Sequence, residues 1–243
     1  MQRIAKGILV WLAIASPARS EFIGELAFSP KNCARNGGTC TLVHDFGFID
    51  PNGVGWQARA GLKTDGASIP VWAQPFIGGQ FDAAFIKAAV IHDHYCDRHV
   101  RTALMTHRVF FDALIASGVD AVKASTMYYA VLVGGPKWIK LITGEQCKVG
   151  QNCIRKVGNK LNLPSGKIVR GEGGDRYVWR DPIYDQADVR EDMREAARII
   201  EQLGIREPDE ALRLAKERRS TDPFLNARPA AVYEETRVRT KMR

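Results

Sequence analysis

Between residues 81 and 133 apolar side chains recur at three- and four-residue steps in three consecutive blocks. That period belongs to helices and not to strands. The first block, about 81–98, puts Phe85, Ala88, Ala89, His92, Tyr95, Cys96 and His99 on one face and Lys87, His94 and Arg98 on a more polar one. The second, about 102–116, aligns Ala103, His107, Phe110, Phe111 and Leu114 and ends before Gly118. The third, about 120–133, begins at Asp120, a residue suited to an N-cap, and stops at Gly134-Gly135-Pro136. Short connections make neighbouring helices antiparallel, so the His92 face is expected to meet the His107 face.

Strands are predicted around these helices. Leu42–Ile49 and Gly55–Leu62 read as a pair joined by the turn formers Asp50-Pro51-Asn52-Gly53. The second runs into Lys63-Thr64-Asp65-Gly66-Ala67-Ser68-Ile69-Pro70, an ordered loop feeding the helices. Residues 144–185 are Gly-rich and read as loops with short strands. From about Gln186 to Arg219 the pattern becomes helical and charged, divided at Leu203-Gly204, with Met193, Ala197, Ile200 and Leu203 as one apolar stripe. Leu212 and Leu214 serve the second of these helices, and a basic tail ends the chain. The expected divisions are 1–20, 21–143 as the core domain, 144–185, and 186–243 as a helical extension with its tail. The fold class expected is α+β, a small antiparallel sheet packed on a three-helix core.

The first twenty residues have the layout of an export signal. Arg3 and Lys6 precede the apolar run Gly7–Ala15, and Ser16-Pro17-Ala18 supplies small residues for cleavage near Ala18–Ser20. The apolar run is short for a bilayer span, which needs roughly 20 residues; an uncleaved anchor is the alternative. The expected location is periplasmic or secreted. The chain carries a formal net charge of +8, and the first twenty residues hold three of its 35 basic groups and none of its 27 acids. A basic surplus suits anionic lipids or cell-wall polymers. No basic stripe interleaved with aromatics points to nucleic acid.

An oxidising compartment gives the cysteines a meaning. Cys33 and Cys40 flank Asn36-Gly37-Gly38, and Cys147 and Cys153 flank Gly150-Gln151-Asn152, so two local disulfides are expected. The alternative is a zinc site using all four, although neither pair has the C-x₂₋₄-C spacing of structural zinc. Either way Cys96 is left free.

Four of the five histidines lie between 92 and 107. Imidazole titrates near neutrality and ligates metals, and here it stands beside Asp and Cys. His92 is the expected general base or ligand, with Asp93 and His107 completing the site and Cys96 a further metal ligand. A divalent ion, zinc or calcium, is the candidate cofactor. A hydrogen-bonded core histidine is the competing reading for His92 and His107. His94 is expected on the exposed face, and His99 at the helix end where capping suits it. Tyr128 or Tyr129 would orient His92 through a phenol, or simply pack. Asp65 and Ser68 would reach the site from the loop.

The residues Thr64-Asp65-Gly66-Ala67-Ser68-Ile69-Pro70, His92-Asp93, Phe110 to Val119 and Met127-Tyr128-Tyr129-Ala130-Val131 come in a fairly specific order. Over about residues 43–140 the chain resembles a phage- and prophage-associated family, domain of unknown function 1353; that family implies no activity. The His92-Asp93 pair also has a local similarity to the helix of secreted phospholipase A2. That similarity implies His92 as base and Asp93 as a calcium ligand. The chain departs from the enzyme where Cys96 stands four after His92 and His107-Arg108-Val109-Phe110 replaces D-x-x-F. A histidine there favours a softer metal such as zinc. The function expected is an exported hydrolase acting on the cell envelope. The alternative is a non-enzymatic, phage-derived structural or envelope-binding protein.

Overall fold

The computed structural model describes residues 20–31, 33, 39–66, 73, 79, 82–142, 153–156, 165–226 and 232–233. The expected export segment up to residue 19, Ser68 and the Cys147–Cys153 pairing lie outside them.

Three helices form the centre: α1 (Ile86–Arg98), α2 (Ala103–Ala116) and α3 (Ala121–Gly134). The first begins later than the expected residue 81. The Thr102 hydroxyl accepts the Met105 N–H and caps α2, and Asp120 accepts from Val122 and Lys123 and caps α3. Each cap satisfies backbone donors that a helix start leaves unpaired. Phe85, Ile91, Phe110, Leu114 and Leu132 are buried where the three meet. Burying each large side chain contributes roughly 1.5–3 kcal/mol.

The strands are more divided than expected. Two small antiparallel sheets precede the helices: β1 (Glu21–Ile23), β4 (Phe46–Ile49) and β5 (Gly55–Ala58) form one, and β2 (Phe28–Ser29), β3 (Cys40–Leu42) and β6 (Lys63–Thr64) form the other. The first expected strand thus splits between β3 and β4, and the second ends at Ala58, with β6 formed in the stretch expected to be a loop. Asp50 explains one turn: its carboxylate accepts the Asn52 and Val54 N–H groups and the Trp56 indole N–H. Cys33 and Cys40 form a disulfide that ties the entry segment to β3.

A third sheet follows α3. It contains β7 (Lys137–Ile142), β8 (Cys153–Lys156), β9 (Lys167–Arg170), β10 (Arg176–Arg180) and β11 (Val232–Tyr233), in the order β11-β8-β7-β10-β9. The β7–β8 and β8–β11 pairs are parallel, so this sheet is mixed. The fold is α+β, but with three sheets where one was expected.

The C-terminal region is helical. It comprises α4 (Ala187–Leu203), α5 (Pro208–Arg218) and the single turn α6 (Pro223–Asn226). Gly204 ends α4 in the left-handed conformation at φ 62°, a geometry that favours glycine. The buried stripe of α4 is Val189, Met193, Ala196 and Ile200; Leu203, expected on it, is the last residue of the helix and is 72 % exposed. Both α4 and α5 pack on α3. Among the described residues no helix is long and apolar enough to cross a membrane.

Candidate functional site

The α1–α2 interface brings His92 and His107 together. His92 Nε2 lies 2.9 Å from His107 Nδ1, with ring centroids 5.2 Å apart. Cys96, one turn after His92, places Sγ 3.5 Å from the same Nε2. On its other side, His92 Nδ1 is 3.2 Å from Asp93 Oδ1. His92, Cys96 and His107 are buried, and one donor atom from each falls within 4.8 Å of the others.

Proton positions follow from the partners. His107 Nε2 lies 3.0 Å from the Pro136 carbonyl, which can only accept, so Nε2 carries a proton. In a neutral His107 the lone pair is therefore on Nδ1 and faces His92 Nε2. If His92 Nε2 donates to it, a neutral His92 turns its Nδ1 lone pair toward Asp93. That contact then needs a proton on the Asp93 carboxyl or a second proton on His92. Burial does raise the Asp93 pKa, against the opposing influence of His92 and Thr64. A cation between the rings resolves the conflict differently. Both facing lone pairs and Cys96 Sγ would bind it, and the His92 Nδ1–H would donate to an ionised Asp93, the carboxylate–histidine arrangement of metal sites.

The distances bring the donors near that use without matching it. Zinc–nitrogen bonds of about 2.0–2.1 Å at tetrahedral angles set nitrogens about 3.3 Å apart, and a zinc-bound sulfur about 3.5 Å from a nitrogen. The nitrogens observed are closer, at 2.9 Å, and Cys96 Sγ, 3.5 Å from His92 Nε2 but also 3.9 Å from Nδ1, lies beside the ring, so the cysteine side chain would have to turn to share an ion. The donors are two imidazoles and a thiol, a set that suits zinc and leaves calcium, which takes oxygen ligands, without a match.

Without a cation the thiol is inert. Burial, reinforced by the nearby Asp93 and Asp97 carboxylates, holds the Cys96 pKa well above that of a free thiol. Burial, then the His92 and Lys137 charges, holds the His107 pKa well below its ordinary value. Both effects oppose protonation of the ring and ionisation of the thiol, and a bound dication reverses the second.

A cavity of about 1160 Å³ reaches the site at His92 and Cys96; His107 is not part of its described lining. Its walls there are His92, Asp93, Cys96 and Asp97 from α1, with Thr64 and Asp65 opposite. Asp65 is thus at the rim, as expected. Phe110 backs the His92 ring at 5.0 Å. The expected roles of the other residues change. His94 is buried, not exposed: Arg98 donates to its Nε2 at 2.9 Å, and burial lowers its pKa to about 4. His99 is the C-cap residue of α1, in the left-handed conformation at φ 55°. Its ring is packed against Trp138 and Trp179, so packing holds it there and not charge. Neither tyrosine orients His92. Tyr129 donates to Asp192 at 2.8 Å, and Tyr128 packs against Phe111.

Three participants escaped the sequence reading. The Pro136 carbonyl carries no side-chain signal. Asp97 was visible beside Cys96 but has no motif. Tyr184 lines the cavity and sits so close to Gly134 that any side chain at Gly134 would collide with its ring. Only the glycine stop after α3 hinted at close packing.

The chain belongs to the family described as a protein of unknown function (DUF1353), whose model matches residues 40–131. It is 40% identical over 199 residues to the uncharacterized protein y4iH of Sinorhizobium fredii, a match covering 81% of this chain and 78% of that protein. A second Sinorhizobium fredii protein, the uncharacterized y4jT, is 38% identical over 147 residues, which is 58% of this chain but 44% of the relative. No solved structure matches. None of these matches supports the local similarity to phospholipase A2.

Proposed function

We propose that the protein is a metal-dependent hydrolase of the zinc class, exported to act on the cell envelope. His92, His107 and Cys96 are the metal ligands, and Asp93 is the carboxylate that fixes the His92 tautomer. One observation carries this reading. The Pro136 carbonyl turns the His107 lone pair toward His92 Nε2, and Cys96 Sγ lies 3.5 Å from that same nitrogen, giving three donor atoms within 4.8 Å of one another beside a cavity lined by His92 and Cys96. Three protein ligands leave a fourth position for water or substrate, the arrangement of catalytic zinc. An ion held there would lower the pKa of a bound water and polarise a carbonyl. In hydrolysis the water oxygen bonds to the acyl carbon, the bond to the leaving group breaks, and the leaving group takes a proton from the water.

Export rests on separate support: the charged-then-apolar start at residues 3–15 and the Cys33–Cys40 disulfide, a bond favoured in oxidising compartments. The deciding measurement is elemental analysis of the purified protein after dialysis against zinc, with cobalt substitution to show sulfur and nitrogen ligation. One ion per chain, lost in His107→Ala, supports the reading. A metal-free protein of unchanged stability with and without zinc overturns it and favours the non-enzymatic structural reading, with the histidines as core packing.

A further inference from the structure

We propose that the cavity receives a short, extended peptide carrying charges of both signs, laid along α3 and α4 with one amide reaching the His92–His107–Cys96 trio. The placing of that amide rests on the proposed hydrolase site; the choice of occupant rests on the groove itself.

The cavity does not end at the histidines. It continues between two helices whose lining residues recur at helical steps. On α3 these are Val122, Thr126 and Ala130, flanked by Lys123 and Met127; on α4 they are Glu191, Arg194, Ala197, Arg198 and Glu201. At about 1.5 Å per residue, the α4 stretch runs roughly 15 Å. An extended chain advances about 3.3 Å per residue, so four or five residues fill the groove.

Chemistry narrows the occupant. The floor is apolar, formed by Met127, Ala130 and Ala197, while the rim carries both signs: Glu191 and Arg194, which pair with each other at 3.6 Å, then Arg198 and Glu201 along α4, with Lys123 on α3 and Asp120 at its N-cap. A peptide with a carboxylate and an ammonium group finds complements on both walls, and its small side chains find the floor. His92 and Cys96 line the same cavity, so an amide of the same chain can come up to the proposed site from that side.

The test uses the full zinc-dialysed protein and two probes: a fluorescein-labelled tetrapeptide containing one Glu and one Lys, and a 4-nitrophenyl dodecanoate ester. Fluorescence polarisation reads peptide binding, and absorbance and chromatography read cleavage. Arg198→Glu and Glu201→Lys are exposed positions away from the trio. Each is expected to weaken peptide binding tenfold or more while zinc content is unchanged. Peptide binding lost in these variants supports the inference even if the peptide is never cleaved, an outcome that removes the hydrolase reading alone. Zinc-dependent cleavage of the dodecanoate ester by a protein that does not bind the peptide keeps the hydrolase and overturns the peptide groove. Equal peptide binding by the wild type and both variants also overturns it.

Discussion

His107 Nδ1 and His92 Nε2 face each other at 2.9 Å, and the fixed proton on His107 Nε2 means that a neutral His107 brings only a lone pair to the contact. His107→Ala removes that lone pair and the bond to Pro136 together. Zinc affinity is expected to fall at least 10³-fold by competition with a chromophoric chelator. In chelator-treated protein the same change should cost about 2–3 kcal/mol in urea unfolding, through a lost buried hydrogen bond and a cavity. Cys96→Ser should retain the fold but lose the sulfur-to-cobalt absorption band.

Asp93 touches His92 on the side away from the donor trio. Asp93→Asn keeps a hydrogen-bond acceptor but not a charge. It should leave one zinc per chain and weaken affinity about 10–100-fold, as loss of a carboxylate behind a ligating histidine does. Retention of full affinity would show that the His92–Asp93 contact has no part in metal binding.

Acid should destabilise the metal-free protein between about pH 6.5 and 4. His94, His99 and His107 all have pKa values held down chiefly by burial, His94 to about 4 from 6.5. The unfolded chain then takes up protons across this window that the folded chain refuses, so stability falls as pH falls. Raised carboxyl pKa values at Asp93, Asp97 and Asp112 act in the opposite sense and offset part of the loss near its acid end. His94→Gln keeps an acceptor for Arg98 without the titration. It should flatten the pH 7 to 4.5 change by about 1–2 kcal/mol in urea melts, a figure reduced from the full shift for solvent screening.

Lys137 is 2% exposed, bonded to the Val133 carbonyl at 2.7 Å and to Asp222 at 3.3 Å, while Arg180 also donates to Asp222 at 2.9 Å. Burial lowers the Lys137 pKa to about 7, despite the favourable Asp222 charge. Asp222→Ala leaves a buried ammonium beside an arginine and should cost about 3–5 kcal/mol at pH 6. The cost should shrink at pH 9, where Lys137 is neutral in the folded protein. An equal loss at both pH values would assign the effect to the Asp222 bonds with Arg180 and the Phe224 N–H instead.

Reducing the Cys33–Cys40 bridge opens a loop with a sequence separation of seven. Cys33→Ser should lower stability by about 2–3 kcal/mol and leave zinc binding intact, since loop closure acts mainly on the unfolded chain. Loss of zinc in this variant would connect the entry segment to the site.

Helix faces were legible because period reveals burial directly. The meeting of His92 with His107 followed from two faces and one short turn. His94 was misread because it lies off the apolar stripe, yet Arg98 covers it one turn later and Glu172 of the β9–β10 loop bonds Arg98 in turn. Such burial comes from residues far away in sequence, which no local pattern encodes. Leu203 failed for the converse reason: the period continues the stripe to it, but it is the last residue of α4 and stands exposed. The strand β7 was missed although it supports the site, because Lys137 interrupts an apolar pattern and its partner Asp222 lies 85 residues on.

That last distance bears on where this protein can be cut. The family model ends at residue 131, five residues before the carbonyl that sets the His107 tautomer and well short of α4, which forms one wall of the groove. The ligands themselves all fall within the matched region, but the atom that aims one of them does not. A fragment limited to 40–131 would carry the donor residues without their alignment, and α3 would lose the helices that cover it. The family segment is therefore recognisable as a unit of descent, and it is expected not to fold as a unit by itself.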